Sequence, residues 1–169
     1  SALDFWGISD HAEGITPRRW NETKESIRQC NAIAGDASNP DLVSFLGWEW
    51  SHVGLTPDKH FGHKNVFFVD TEDDKVPARS VAAPREQLNK SPIPRFAQYA
   101  LAAMDWENRD FYLGISTYYD EIAETPVCER GVNSTDLPQN CMEIAHNPGE
   151  LFSKLDDWGA DALVIPHGN

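Results

Sequence analysis

Three apolar runs in this chain stop at polar residues with chemical capability. They are Leu3-Asp4-Phe5-Trp6-Gly7-Ile8-Ser9 before Asp10-His11, Val43-Ser44-Phe45-Leu46-Gly47-Trp48 before Glu49, and Ala162-Leu163-Val164-Ile165-Pro166 before His167. Runs this short and this apolar predict buried strands. In a parallel α/β sheet, side chains just past the carboxyl ends of strands converge on one side. Asp10, His11, Glu49 and His167 are therefore expected to share a site.

Between these runs the apolar period changes. Thr16-Pro17 is a cap with proline at the first helical position, and Trp20, Ile27, Cys30 and Ala34 follow at helical spacing until Gly35. The same logic predicts a helix from the Asn147-Pro148-Gly149-Glu150 cap through Leu151, Leu155 and Trp158 to Gly159. A further helix is expected over about Arg95 to Trp106, with Phe96, Tyr99, Ala100 and Ala103 on one side. Lys64 to Asp70 and Phe111 to Tyr119 read as strands. Residues 51–62, with Gly54 and Pro57, read as a loop, and residues 71–94 read as a surface excursion rich in Asp, Pro, Ser and Lys. The short polar link from Gly35 to Asp41 suits a βαβ unit, so the first two strands are expected to be parallel.

At 169 residues the chain has the length of one domain, and 40% hydrophobic residues suffice for a core. The reading is thus a single, incomplete α/β domain over 1–169. It opens almost directly on one strand and stops three residues after another, as an internal piece of a longer polypeptide would. A formal charge of -13 argues against nucleic acid or an anionic membrane as a partner. No run approaches the roughly 20 apolar residues of a membrane span. Cys128 and Cys141 bracket a polar loop, 129–140, with little apolar content to fix it. They either bridge, which implies a periplasmic or secreted location, or stand as unrelated thiols, which a cytoplasmic protein would hold reduced.

Six histidines are present, and their positions carry more than their number. His11 and His167 follow strand ends, and His52, His60 and His63 cluster after Glu49. Imidazoles and carboxylates are ligands for zinc, manganese or iron. Glu49, between two tryptophans, needs a cation to offset its desolvation. His63 is preferred as a ligand, and His60 as an outer-shell or substrate group. His52 and Lys64 are weaker candidates for that outer role, and His146 reads as surface.

Asp10-His11-Ala12-Glu13, Gly47-Trp48-Glu49-Trp50, His60-Phe61-Gly62-His63-Lys64-Asn65-Val66 and Ile165-Pro166-His167-Gly168-Asn169 follow one another along the chain. In order and context they resemble a large uncharacterised bacterial branch of the PHP (polymerase and histidinol phosphatase) superfamily. The resemblance takes in the Cys128 to Cys141 segment and Glu150-Leu151-Phe152 through Trp158. It implies an irregular (β/α)7 barrel of parallel strands with two or three divalent metal ions at the strand carboxyl ends. It makes His11, Glu49, His63 and His167 metal ligands, with Glu49 bridging, and gives catalytic roles to Glu49 and Asp10. Ser9 stands where the family has threonine. The family's opening His-x-His and closing Asp-x-His motifs would precede Ser1 and follow Asn169, so the remainder of the same polypeptide would supply them.

The expected activity is that of a metal-dependent hydrolase, of the phosphoesterase type, acting on a small and possibly anionic ester through a metal-bridging water. An amidohydrolase-like enzyme cleaving C–N or C–O bonds uses the same kind of centre. The third reading is a non-catalytic binding module with a degenerate metal site, in which Trp48, Trp50 and Phe61 meet an apolar or sugar ligand.

Overall fold

The computed structural model describes residues 3–36, 38–84 and 93–167. It divides into two compact units, residues 1–84 with 127–169, and residues 85–126.

The larger unit is built on β1 (Phe5–Gly7), α1 (Pro17–Ala32), β2 (Gly35–Asp36), β3 (Asn39–Pro40), β4 (Val43–His52), β5 (Gly62–Phe68) and β6 (Val81–Ala82). The smaller unit holds α2 (Arg95–Met104) and α3 (Arg109–Glu124). The chain then returns to the larger unit for β7 (Glu143–Ile144), α4 (Pro148–Trp158) and β8 (Ala162–His167). The main sheet has the order β1-β4-β5-β8, with β2-β3 and β6-β7 as separate pairs.

α1 and α4 start where the capping residues are. Thr16 Oγ1 accepts the Arg19 N–H at 3.2 Å, and Asn147 Oδ1 accepts the Glu150 N–H at 3.0 Å. Gly159 ends α4 at φ 61°, a left-handed position that glycine occupies without a Cβ clash. α1 turns Trp20 and Ile27 inward, and Trp20 meets Trp48 of β4 edge-on, with ring centroids 5.0 Å apart. Phe68 of β5 closes that cluster, 4.9 Å from Trp48. Each such fully buried apolar side chain contributes roughly 1.5–3 kcal/mol through burial.

The expected barrel of parallel strands is not what forms. β1 and β4 pair in parallel, but β5 runs antiparallel to β4, and β8 antiparallel to β5. Residues 53–61 explain the reversal. They link β4 to β5 without an α-helix, and a parallel pairing needs a longer crossover. Only four α-helices accompany the curled, mixed four-stranded sheet among the described residues, so the fold is not a (β/α)7 barrel.

Residues 111–119 are likewise helical rather than extended, lying inside α3. Ile115, Tyr118 and Ile122 continue a helical period past the end of the expected strand, and Ile122 is buried. Arg95 and Asp120 join α2 to α3 with an ion pair at 2.6 Å. Within the expected surface excursion, Val76 and Val81 to Ala83 are buried in the core, and β6 pairs in parallel with β7. Residues 85–92 of that stretch lie outside the described residues.

Alternation along the strands gives the sheet two distinct faces. Leu46, Trp48, Trp50, Val66 and Phe68 face the core. The register puts Glu49, Ser51, His63, Asn65 and His167 on the other face, in line with Phe67, Leu163 and Ile165. On β8 of that second face, Leu163 and Ile165 are exposed.

Candidate functional site

The site begins with a backbone contact. The Glu49 N–H donates to the Asp10 carbonyl at 2.8 Å, and His11 and Glu49 form an isolated parallel bridge. β1 thereby delivers the residues after it to the far end of β4. His167, at the end of β8, reaches the same end because β8 runs in the direction of β4. His63 arrives from the start of β5, which is antiparallel. Four chain segments thus meet at one end of the sheet, through a mixed topology instead of uniformly parallel strands.

Glu49 is the centre of the cluster and is 9% exposed. Its Oε1 accepts the Ser51 hydroxyl at 2.6 Å and His63 Nδ1–H at 2.5 Å. His11 Nε2 lies 3.7 Å from Oε1, and His167 Nε2 lies 3.3 Å from Oε2. His167 Nε2 is also 3.0 Å from Asn65 Oδ1, an atom that can only accept, so this nitrogen carries the proton. Burial pushes the Glu49 carboxyl up, but the hydrogen bonds from Ser51 and His63 and the nearby imidazoles outweigh it and hold the group below its ordinary value.

Glu13 lies behind His11 and was not among the residues expected at the site. It sits in the one-turn helix Ala12–Gly14 and is 4% exposed. Its Oε1 accepts the N–H groups of Ser51 at 3.2 Å and Ala83 at 2.8 Å. Its Oε2 is buried without a hydrogen-bond partner, 3.6 Å from His11 Nδ1. Burial raises the Glu13 carboxyl above its ordinary value, partly offset by the Ala83 and Ser51 N–H groups. The sequence signal for it is the spacing Asp10-His11-Ala12-Glu13, which sets a second carboxylate two residues beyond a strand-end histidine.

The other expected residues are placed differently. Asp10 joins through its carbonyl, and its side chain is exposed. His52 and Lys64 belong to the opposite face of the sheet, because they share the parity of Trp50. The His52 ring stacks on Trp50 at 5.3 Å, and Lys64 Nζ lies 5.1 Å above the same indole while donating to the Phe61 carbonyl at 2.6 Å. Burial lowers both groups from their ordinary values, and the positive surroundings of His60, His146 and Lys64 add to this for His52. His60 Nδ1 accepts the Gly54 N–H at 3.3 Å and so braces the 53–61 loop. His146 is half-buried, with Nδ1 3.0 Å from Glu150 Oε2.

Two ligands of one tetrahedral ion, each about 2.1 Å from it, stand roughly 3.4 Å apart. The His167–Glu49 and His11–Glu49 separations match that spacing, whereas His63 and Glu49 are in direct hydrogen-bond contact. Accordingly, among the described residues no group of three or more His, Cys, Asp or Glu stands ready-spaced for a metal ion. Three imidazoles and two carboxylates, one with an orphaned oxygen, are the ligand types that divalent cations take. Accommodating one requires His63 at Nδ1 and His167 at Nε2 each to release a proton or turn the ring.

Away from the cluster, Cys128 and Cys141 form a disulfide with Cα atoms 4.9 Å apart, and Cys30 is free and half-buried. No helix among the described residues is long and apolar enough to cross a membrane. The disulfide is compatible with a secreted or periplasmic protein. No protein-family model, curated protein or solved structure matches this chain.

Proposed function

We propose that this chain is a metal-dependent hydrolase of the phosphoesterase type, with its divalent cation held against Glu49 by His11, His63 and His167. The observation that carries this reading is the convergence of three imidazoles from separate chain segments on one buried carboxylate. Purely structural carboxylates need one or two partners, and surrounding one with three titratable rings serves ligand binding better than packing. Zinc, manganese or iron fits these donors. When bound, the cation makes water nucleophilic near neutral pH and offsets the charge that develops on an ester.

The chain's own groups have defined tasks in that scheme. The Ser51 hydroxyl fixes the Glu49 carboxylate by donating to Oε1. Asn65 Oδ1 orients the His167 ring. His63 Nδ1 and His167 Nε2 each hold a proton at the Glu49 carboxylate, and each would pass it to solvent for its nitrogen to hold a cation. A cation here also reconciles a net charge of -13 with an anionic ester substrate. The disulfide supports a periplasmic or secreted setting for this activity.

The test is metal content by inductively coupled plasma mass spectrometry, on the chain and on Glu49→Gln, after dialysis without chelator. A panel of phosphomonoesters, phosphodiesters, lactones and amides follows. Metal retained by the native chain and lost from the variant, with phosphoester turnover, is the expected result. Equal metal and equal hydrolysis in both proteins sinks the proposal. Turnover confined to amides or lactones moves the reaction to the amidohydrolase type, and absence of metal from both leaves a non-catalytic cluster.

A further inference from the structure

Glu13 is more deeply buried than any other member of the cluster, at 4% against 9% for Glu49. One of its oxygens is fully committed. Oε1 accepts two backbone N–H groups, from Ser51 on β4 and from Ala83 just after β6, and these clamp the carboxylate in one orientation. That orientation aims Oε2 at His11 Nδ1, 3.6 Å away, with nothing else to satisfy it. The opposite nitrogen of the same ring, Nε2, lies 3.7 Å from Glu49 Oε1. One imidazole therefore stands between two carboxylates, and a neutral ring has one proton to give.

Where that proton goes follows from the competition. Glu49 Oε1 already receives the Ser51 hydroxyl and His63 Nδ1–H. Glu13 Oε2 receives nothing and is shut off from water. The His11 side chain is 62% exposed, and its Nδ1 lies 3.6 Å from that oxygen. We propose that Glu13 is a positioning residue that accepts Nδ1–H of His11 and so leaves Nε2 unprotonated toward Glu49. A histidine set in this way presents its lone pair where a cation would bind, as carboxylate-oriented metal histidines do. This inference rests on the reading of the Glu49 cluster as a cation site, although the tautomer itself is defined without any metal.

The experiment uses the metal-free, ¹⁵N-labelled chain above the histidine titration range. Long-range proton–nitrogen correlation spectra report the tautomer of His11, assigned through its loss in His11→Asn. The native chain is expected to show Nδ1–H. Glu13→Gln is the informative variant, because its carbonyl keeps both backbone hydrogen bonds while its amide N–H₂ faces His11. It is expected to move the proton to Nε2 and to weaken Zn²⁺ binding, measured by titration calorimetry, by 10–100-fold.

An Nε2–H tautomer in the native chain overturns the proposal, even if the variant fails to fold. So does a variant that folds, keeps the native tautomer and binds Zn²⁺ unchanged, which leaves the metal reading standing. If Zn²⁺ binds neither protein while the tautomer still switches, the positioning role of Glu13 is supported and the metal reading falls.

Discussion

His63 Nδ1 stands 2.5 Å from Glu49 Oε1, within a sheet in which these two residues approach from antiparallel neighbours. The contact is charge-assisted and partly sheltered, because Glu49 is buried and the His63 side chain is 27% exposed. Replacing His63 by alanine leaves Glu49 Oε1 with the Ser51 hydroxyl and a distant His11. The expected loss of stability is about 1–2 kcal/mol by urea denaturation at pH 7. His63→Asn, which can still donate to the carboxylate, is expected to recover half of that loss or more. Equal loss in both variants would show that ring packing, not the hydrogen bond, stabilises this corner.

Gly47 lies in the same strand as Glu49, two residues before it. A Cβ there would come 2.4 Å from the Val66 carbonyl oxygen, 2.8 Å from that of Ile8 and 2.6 Å from the Phe67 ring. Two of these are backbone atoms, of β5 and of the residue just after β1, and cannot swing aside. Gly47→Ala is expected to cost about 1–3 kcal/mol, as overpacking of an ordered interior does. It should spread β4 from β1 and β5 and disturb the Glu49 cluster. Gly114, in the middle of α3, has open space at the corresponding point. Gly114→Ala is expected to gain about 0.5–1 kcal/mol from helix propensity. Thermal melts of the two variants, shifting in opposite directions, check both claims.

What the sequence discloses here is mostly what short-range physics controls. Thr16-Pro17 and Asn147-Pro148 mark helix starts because the capping atoms lie within three residues of the groups they serve. Apolar runs disclose β1, β4, β5 and β8, and strand-end position brings His11, Glu49, His63 and His167 together as neighbours. An apolar run carries no direction, however, so the antiparallel course of β5 is hidden. Phe111 to Tyr119 is apolar enough to pass for a strand, and only Ile122 beyond it betrays the helical period. Glu13 escapes for a different reason. The Asp10-His11-Ala12-Glu13 spacing sets it near the histidine, but its burial and orientation depend on the N–H groups of Ser51 and Ala83, which are far off in the chain.

The Cys128–Cys141 bridge closes a loop that the buried Arg79 also holds, donating to the Ser134, Leu137 and Pro138 carbonyls at 3.0 Å each. Only Ser134, Leu137 and Cys141 are buried between and including its ends. A closed loop with a sequence separation of 13 restricts the unfolded chain by about 3 kcal/mol. Reduction by dithiothreitol, or paired Cys128→Ser and Cys141→Ser substitution, is expected to lower the melting temperature by several degrees or more. The Glu49 cluster lies on other elements and should keep its histidine spectra. Loss of those spectra at temperatures where the reduced protein is still folded would show that the loop supports the site.

Acid should unfold this protein along a path on which Glu150 matters. Burial alone would raise its carboxyl, but the His146 N–H at 2.9 Å and the Arg130 guanidinium at 2.6 Å prevail and bring it down to about 2. A carboxylate depressed in the folded state stabilises fully above its unfolded value of about 4.3 and loses that contribution as pH falls toward 2. Discounted for the 29% exposure of the side chain, the contribution is on the order of 2 kcal/mol. Asp73, also depressed to about 2 by its hydrogen bonds with Lys24 and Arg28, loses stability over the same window but is largely exposed and weighs less. Denaturation midpoints measured from pH 6 down to pH 2.5 should therefore fall most steeply below pH 4.5. Glu150→Gln should be less stable than the native chain at pH 6, and the gap between the two curves should shrink to a minor part of its pH 6 size by pH 2.5. Parallel curves across the whole range would mean that Glu150 acts as a neutral cap on α4 and that its ion pair with Arg130 contributes nothing measurable.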